Sequence, residues 1–81
     1  MEENYINIFC RFLADLVESQ SIGRNDLLYI LNEFKSICEK LHSRQDLIDF
    51  LKKHTGKYHQ LEQLQKQLEN KNFKFEKYGN I

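Results

Sequence analysis

The chain lacks proline and tryptophan, and among its 81 residues it has only three glycines and two cysteines. Without proline, the strongest helix breaker is missing. Two cysteines are too few for the disulfide framework of a small secreted domain. These shortages favour a helical protein that folds without covalent cross-links.

The sequence also lacks the segments that direct a protein into or across a membrane. No apolar run approaches the roughly 18 residues that a transmembrane helix needs. The amino terminus carries Glu2 and Glu3, whereas a signal peptide begins with basic residues followed by an apolar stretch. We therefore predict a cytoplasmic protein with no membrane span.

What remains is the composition of a single small domain, residues 1–81. Hydrophobic residues make up 41% of the chain, and twelve bases balance twelve acids, which is not typical of a disordered protein. A chain of this size buries only about 60% of its unfolded surface, so it has little room for an internal active site.

The acids are concentrated in residues 1–43 and the bases in residues 44–81. Such an asymmetry can steer a partner or favour self-association.

Apolar residues recur in steps of three and four, which is the helical period. They predict four helices, at about 3–20, 26–42, 44–54 and 57–71. The first helix is apolar over much of its circumference, which favours a central position. The fold class expected is all-α: a small four-helix bundle with a short extended C-terminal tail.

Residues that commonly start and stop helices support these boundaries. Asn25 has the side chain of an N-cap, and Ser43 with Asp46 has the spacing of a capping box. Basic residues fill the last turn of the third helix, and Gly56 follows it, as is common at helix C-termini.

The fourth helix has a narrow apolar seam, and an aromatic tail follows it. Narrow seams suit contacts of the coiled-coil type. The predicted partner-binding side chains of the seam and the tail are Tyr58, Leu61, Leu64, Leu68, Phe73, Phe75 and Tyr78. Their partner would be another protein or a second copy of the chain in a homodimer. The alternative is that the other helices cover the seam and the tail folds back over the core.

Residues 43–71 also have the outline of a helix-turn-helix, with a small wing formed by the tail. The side chains that would contact DNA are Lys57, His59, Gln60, Gln63 and Lys66. Gln can read adenine, and Lys can reach guanine or phosphate. The zero net charge and the lack of arginine after Arg44 argue against this alternative.

Metal and catalytic sites receive less support. Cys38, His42, His54 and His59 could in principle complete a tetrahedral zinc site, but Cys38 lies on an apolar stripe, where a thiol behaves as a small hydrophobe. Cys10 also falls in an apolar helical pattern, whereas a catalytic thiol needs an exposed, electropositive setting. We therefore expect no metal, no cofactor and no enzymatic activity.

The function predicted from the sequence is that of a small non-enzymatic protein-binding module, such as an adaptor, inhibitor or regulator. It would occupy a partner surface through the fourth helix and the tail. The composition, rich in Lys, Asn and Ile, suits a low-GC bacterium, its phage or a mobile element.

Overall fold

The structure, a computed structural model, describes residues 4–75, and within that range it is helical and has no strand. The α-helices are α1 (Tyr5–Glu18), α2 (Arg24–Ile37), α3 (Arg44–His54) and α4 (Glu62–Glu69), with 3₁₀ turns at Cys38–Lys40 and His59–Leu61. The all-α prediction is confirmed for these residues, whereas the arrangement as a bundle stays a prediction. None of the helices in this range has the length and apolar character needed to cross a bilayer.

Helix α1 is two residues shorter at each end than the prediction of 3–20. The side chain of Asn4 caps its start. At its end, the N–H of Ser21 donates to the carbonyl of Leu16 at 2.8 Å. The N–H of Gln20 donates to the carbonyl of Val17 at 3.0 Å. This is a Schellman termination, and Gln20 takes the left-handed position (φ 56°) that glycine usually occupies.

Helix α2 begins earlier than the sequence indicates, so the N-cap prediction for Asn25 is wrong. The N-cap is Gly23, with extended backbone (φ −78°, ψ 159°), and the helix starts at Arg24. Asp26 lies in the first turn, where the helix dipole favours a carboxylate. The helix ends at Ile37 rather than at 42, and its last turn tightens into a 3₁₀ turn.

Helix α3 agrees with its predicted bounds of 44–54. Its capping box is present: Ser43 Oγ accepts the N–H of Asp46 at 3.3 Å, and the Asp46 carboxylate accepts the N–H of Ser43 at 3.1 Å. At the other end no left-handed glycine is used, since Gly56 does not have a positive φ. The turn is closed instead by the N–H of Tyr58, which donates to the carbonyl of His54 at 2.8 Å.

Helix α4 is shorter than the predicted 57–71. The backbone of Tyr58 is not helical (φ −119°, ψ 79°), and its ring lies in the core. The chain then makes a 3₁₀ turn before eight α-helical residues, and the helix ends where Asn70 becomes extended (φ −84°, ψ 105°).

One apolar cluster joins all four helices, and three of its rings come from three different helices. Phe9 of α1 stacks on Phe34 of α2 with ring centroids 4.2 Å apart, and Phe50 of α3 meets both rings edge-on at 5.7 and 5.6 Å. Such pairs contribute about 0.5–1.5 kcal/mol each beyond their buried area. The three rings fix α1, α2 and α3 against one another.

Candidate binding surface

The apolar seam of the fourth helix is part of the protein's own core. Tyr58 is 5% exposed, and Leu61, Leu64 and Leu68 are at most 2% exposed. Helix α4 packs chiefly against α3. The chain itself therefore covers the seam, which is the alternative that the sequence left open, and these four side chains present no open surface to a partner.

The start of the tail is also held against the body of the protein. Phe75 is buried and Phe73 is half-buried, with their rings 4.8 Å apart. The Arg44 guanidinium donates to the carbonyls of Asn70 at 3.1 Å and Phe73 at 2.7 Å, and it lies 5.1 Å from the Phe75 ring. Tyr78, the last predicted contact, lies outside the described residues.

Two of the side chains predicted to contact DNA are held by the protein. The Lys57 ammonium lies over the rings of Tyr29 and Tyr58, 5.3 and 5.4 Å from their centroids. Gln60 donates through Nε2 to the carbonyl of Ser21 at 2.9 Å, which ties the α1–α2 loop to the 3₁₀ turn before α4. Both would have to give up these contacts in order to reach a base.

The other three predicted DNA contacts lie on the surface. Lys66 forms an ion pair with Glu62 at 3.1 Å, and His59 and Gln63 are exposed. Only residues 73–75 of the predicted wing are described, and they form no strand; the rest of the wing lies outside the described residues.

The four residues considered for zinc do not converge. The Cys38 thiol donates to the carbonyl of Lys35 at 3.4 Å, and the His54 ring packs 4.7 Å from the ring of Phe50. In the part of the chain that the structure describes, no three His, Cys, Asp or Glu side chains come together as a metal site would require.

The candidate nucleophile Cys10 has a setting that disfavours the thiolate. Partial burial raises the pKa of the Cys10 thiol, and the nearby Cys38 thiol raises that pKa further. Since the thiolate is the nucleophile, this shift lowers the reactivity of Cys10 at neutral pH.

The open apolar surface lies on α1 and α2 instead. Ile6 and Val17 are 46% and 47% exposed, and Leu28 and Leu31 are 54% and 37% exposed. Ile6, Val17 and the exposed Cys10 are spaced by four and seven residues, which places them on one side of α1. Leu28 and Leu31, three residues apart, share a side of α2.

These two sets of side chains lie on consecutive helices of the chain. The short loop 19–23 joins α1 to α2, and the stacking of Phe9 on Phe34 requires the two helices to run antiparallel. We call the surface formed by Ile6, Cys10, Val17, Leu28 and Leu31 the hairpin face.

The sequence patterns did not reveal this surface. Ile6 and Leu31 continue the helical period of the core residues, so the period alone assigns both to the core, yet they are 46% and 37% exposed. The signal was present, because α1 has more apolar positions than one core-facing side can hold. In the structure, the apolar side chains that the core does not take up, Ile6, Cys10 and Val17, are exposed to solvent.

Comparison of the chain with models of protein families, with curated proteins and with solved structures finds no match. We therefore infer the function from the chemistry of the hairpin face.

Proposed function

We propose that this protein is a small non-enzymatic protein-binding module, an adaptor, inhibitor or regulator, and that it binds through the hairpin face. The observation that supports this is the grouping of four large apolar side chains, each 37–54% exposed, along one helical hairpin. Clustered apolar exposure of this kind marks interaction surfaces. The predicted seam of α4 is replaced as the docking surface because the fold buries it.

The energy available to such a contact is modest but sufficient for a specific interaction. Full burial of a large apolar side chain contributes roughly 1.5–3 kcal/mol, and these four are already about half covered. A partner that covers the rest would gain roughly 3–6 kcal/mol from them. The rings of Phe9 and Phe34 hold the two helices in place before binding. The helices therefore lose little conformational freedom on association.

The DNA-binding alternative has less support from the described surface. It would have to break the contacts of Lys57 and Gln60, and it would rely on a helix whose Lys66 is paired with Glu62. The zero net charge of the whole chain also weakens the phosphate attraction that dominates nonspecific binding.

The test is a comparison of variants. We expect Leu28→Lys with Leu31→Lys to abolish recovery of the proteins that the unaltered chain captures from nuclease-treated extract of its source cells. The fold should persist because both side chains are partly exposed and a lysine there can extend its ammonium group into water, and circular dichroism checks this.

The matched control is Gln45→Lys with Gln63→Lys, which adds the same charge at exposed positions of α3 and α4. This control should recover the same proteins as the unaltered chain. Recovery of those proteins by the Leu28→Lys, Leu31→Lys variant as well would show that the hairpin face is not the binding surface.

A further inference from the structure

An open cavity lies in the corner between the end of α2 and one side of α3. Its volume is about 150 Å³, and its apolar lining consists of Ile37, Leu41 and Phe50. The 3₁₀ turn Cys38–Lys40 ends α2, and the backbone of Leu41 is extended (φ −84°, ψ 100°). Ile37 and Leu41 are only half-buried, so part of their apolar surface remains open to a ligand.

The aromatic side of the cavity is held rigid by the core. The Phe50 ring meets the rings of Phe9 and Phe34 edge-on, with centroids 5.7 and 5.6 Å away. The His54 ring lies 4.7 Å from it on another side. These contacts leave Phe50 little freedom to swing into the cavity and close it, so the site is preformed, as binding pockets usually are.

The size of the cavity matches one aromatic ring. A cavity of about 150 Å³ lined by leucine, isoleucine and phenylalanine binds one benzene molecule. Sites for free small molecules are larger, roughly 300–1,000 Å³, because they must cover most of the ligand. A side chain needs less cover, since the rest of its protein supplies further contacts, and aromatic anchors in such pockets dominate many interfaces. The dimensions therefore favour an aromatic side chain of a partner protein.

The charges at the mouth of the cavity favour a neutral ring. Two lysines and two aspartates line it, Lys40, Lys53, Asp46 and Asp49, so neither sign is in excess. Both carboxylates already accept hydrogen bonds. Asp46 accepts two backbone N–H groups at the start of α3, at 2.8 and 3.1 Å, and Asp49 accepts Gln45 Nε2 at 2.8 Å.

The two lysines favour an aromatic ring over a saturated ring of the same size. Both side chains are exposed, and no ion pair joins Lys40 or Lys53 to another residue within 4–75. An ammonium group near the face of an aromatic ring is attracted to its π-electrons. A saturated ring gains nothing from these two groups.

We infer that the cavity binds a phenylalanine side chain of a partner protein, with the ring against Ile37, Leu41 and Phe50 and the ammonium groups of Lys40 and Lys53 beside it. The inference rests on the proposed function only in taking the partner to be a protein. It adds a second contact, which does not depend on the hairpin face.

The experiment titrates the full chain with three capped pentapeptides of serine and glycine, whose central residue is phenylalanine, cyclohexylalanine or alanine. Phenol is the fourth probe and represents a free aromatic molecule. Methyl NMR signals of Ile37 and Leu41 report on the cavity, and those of Leu28 and Leu31 report on the hairpin face. One ring gives weak binding, with a dissociation constant of roughly tens of millimolar, which such titrations can measure.

We expect the phenylalanine peptide to shift the methyl signals of Ile37 and Leu41 and to leave those of Leu28 and Leu31 unchanged. It should bind about two- to fivefold more tightly than the cyclohexylalanine peptide, because only the aromatic ring attracts the ammonium groups. The alanine peptide should cause no shift.

A pair of lysine variants tests the selection of the ring. Lys40→Ala with Lys53→Ala should make the phenylalanine and cyclohexylalanine peptides bind equally. The matched control, Lys35→Ala with Lys52→Ala, removes two exposed lysines that do not line this cavity and should keep the preference. All four positions are exposed, so the fold should be retained, as circular dichroism checks.

Four results would overturn the inference. The first two are binding of none of the peptides, and equal binding of the phenylalanine and cyclohexylalanine peptides to the unaltered chain. The third is a shift of the Leu28 and Leu31 signals in place of those of Ile37 and Leu41. The fourth is binding of phenol without binding of the phenylalanine peptide, which would make a free small molecule the ligand. Failure of the proposed function is distinct, since it appears as unchanged protein recovery by the Leu28→Lys, Leu31→Lys variant.

Discussion

Replacing Leu61 and Leu64 together by lysine unfolds the protein. Both side chains are fully buried, so each substitution loses roughly 1.5–3 kcal/mol of apolar burial. Each also places an ammonium group in the core, where an unpaired charge costs several kcal/mol more. The whole fold of such a chain is worth roughly 4–12 kcal/mol, so the combined loss exceeds what it can withstand.

Far-UV circular dichroism during a thermal melt measures this result. We expect the Leu61→Lys, Leu64→Lys variant to lose its helical signal and its cooperative transition at room temperature. Gln63→Lys, on the exposed side of the same helix, should melt as the unaltered protein does. A double variant that kept both its helicity and its transition would show that the α4 seam lies on the surface.

Phe9→Ala is expected to have the second largest effect, a loss of about 3–5 kcal/mol of unfolding free energy. The Phe9 ring is fully buried and packs against rings from two other helices. Its centroid lies 4.2 Å from that of Phe34 and 5.7 Å from that of Phe50. Its removal leaves a cavity where α1, α2 and α3 meet. A loss of this size is comparable with the total stability of a small domain.

Urea denaturation gives the free energies for this comparison. Phe73→Ala is the control, because its ring is only half-buried and lies beside Phe75 at the edge of the core. We expect it to cost less than half as much as Phe9→Ala. Equal losses from the two substitutions would contradict a core centred on Phe9.

The sequence correctly predicted helix bounds that are set by residues within the helix or next to it. The bounds of α3 follow from the capping box of Ser43 and Asp46 and from the basic last turn, all of which lie within the helix or next to it. The start of α2 was misplaced because Gly23 and Asn25 are both acceptable N-caps, and only the path of the loop selects between them. The end of α4 depends on Arg44, whose hydrogen bonds reach residues 26 and 29 positions later.

The candidate surface could not be predicted in the same way. A narrow apolar seam such as that of Leu61 and Leu64 has the same periodicity whether its own chain or another molecule covers it. Likewise, Ile6 continues the helical pattern of the core residue Phe9, although it faces solvent. Periodicity identifies apolar sides of helices, but the packing of the whole chain decides which of those sides remain open.

The most direct test of this account is the solvent exposure of methyl groups, measured by NMR with a soluble paramagnetic agent. We predict strong broadening of the methyl signals of Ile6, Val17, Leu28 and Leu31, and protection of those of Leu61 and Leu64. The opposite pattern, with the α4 leucines broadened and the hairpin face protected, would contradict both the fold and the binding surface proposed from it.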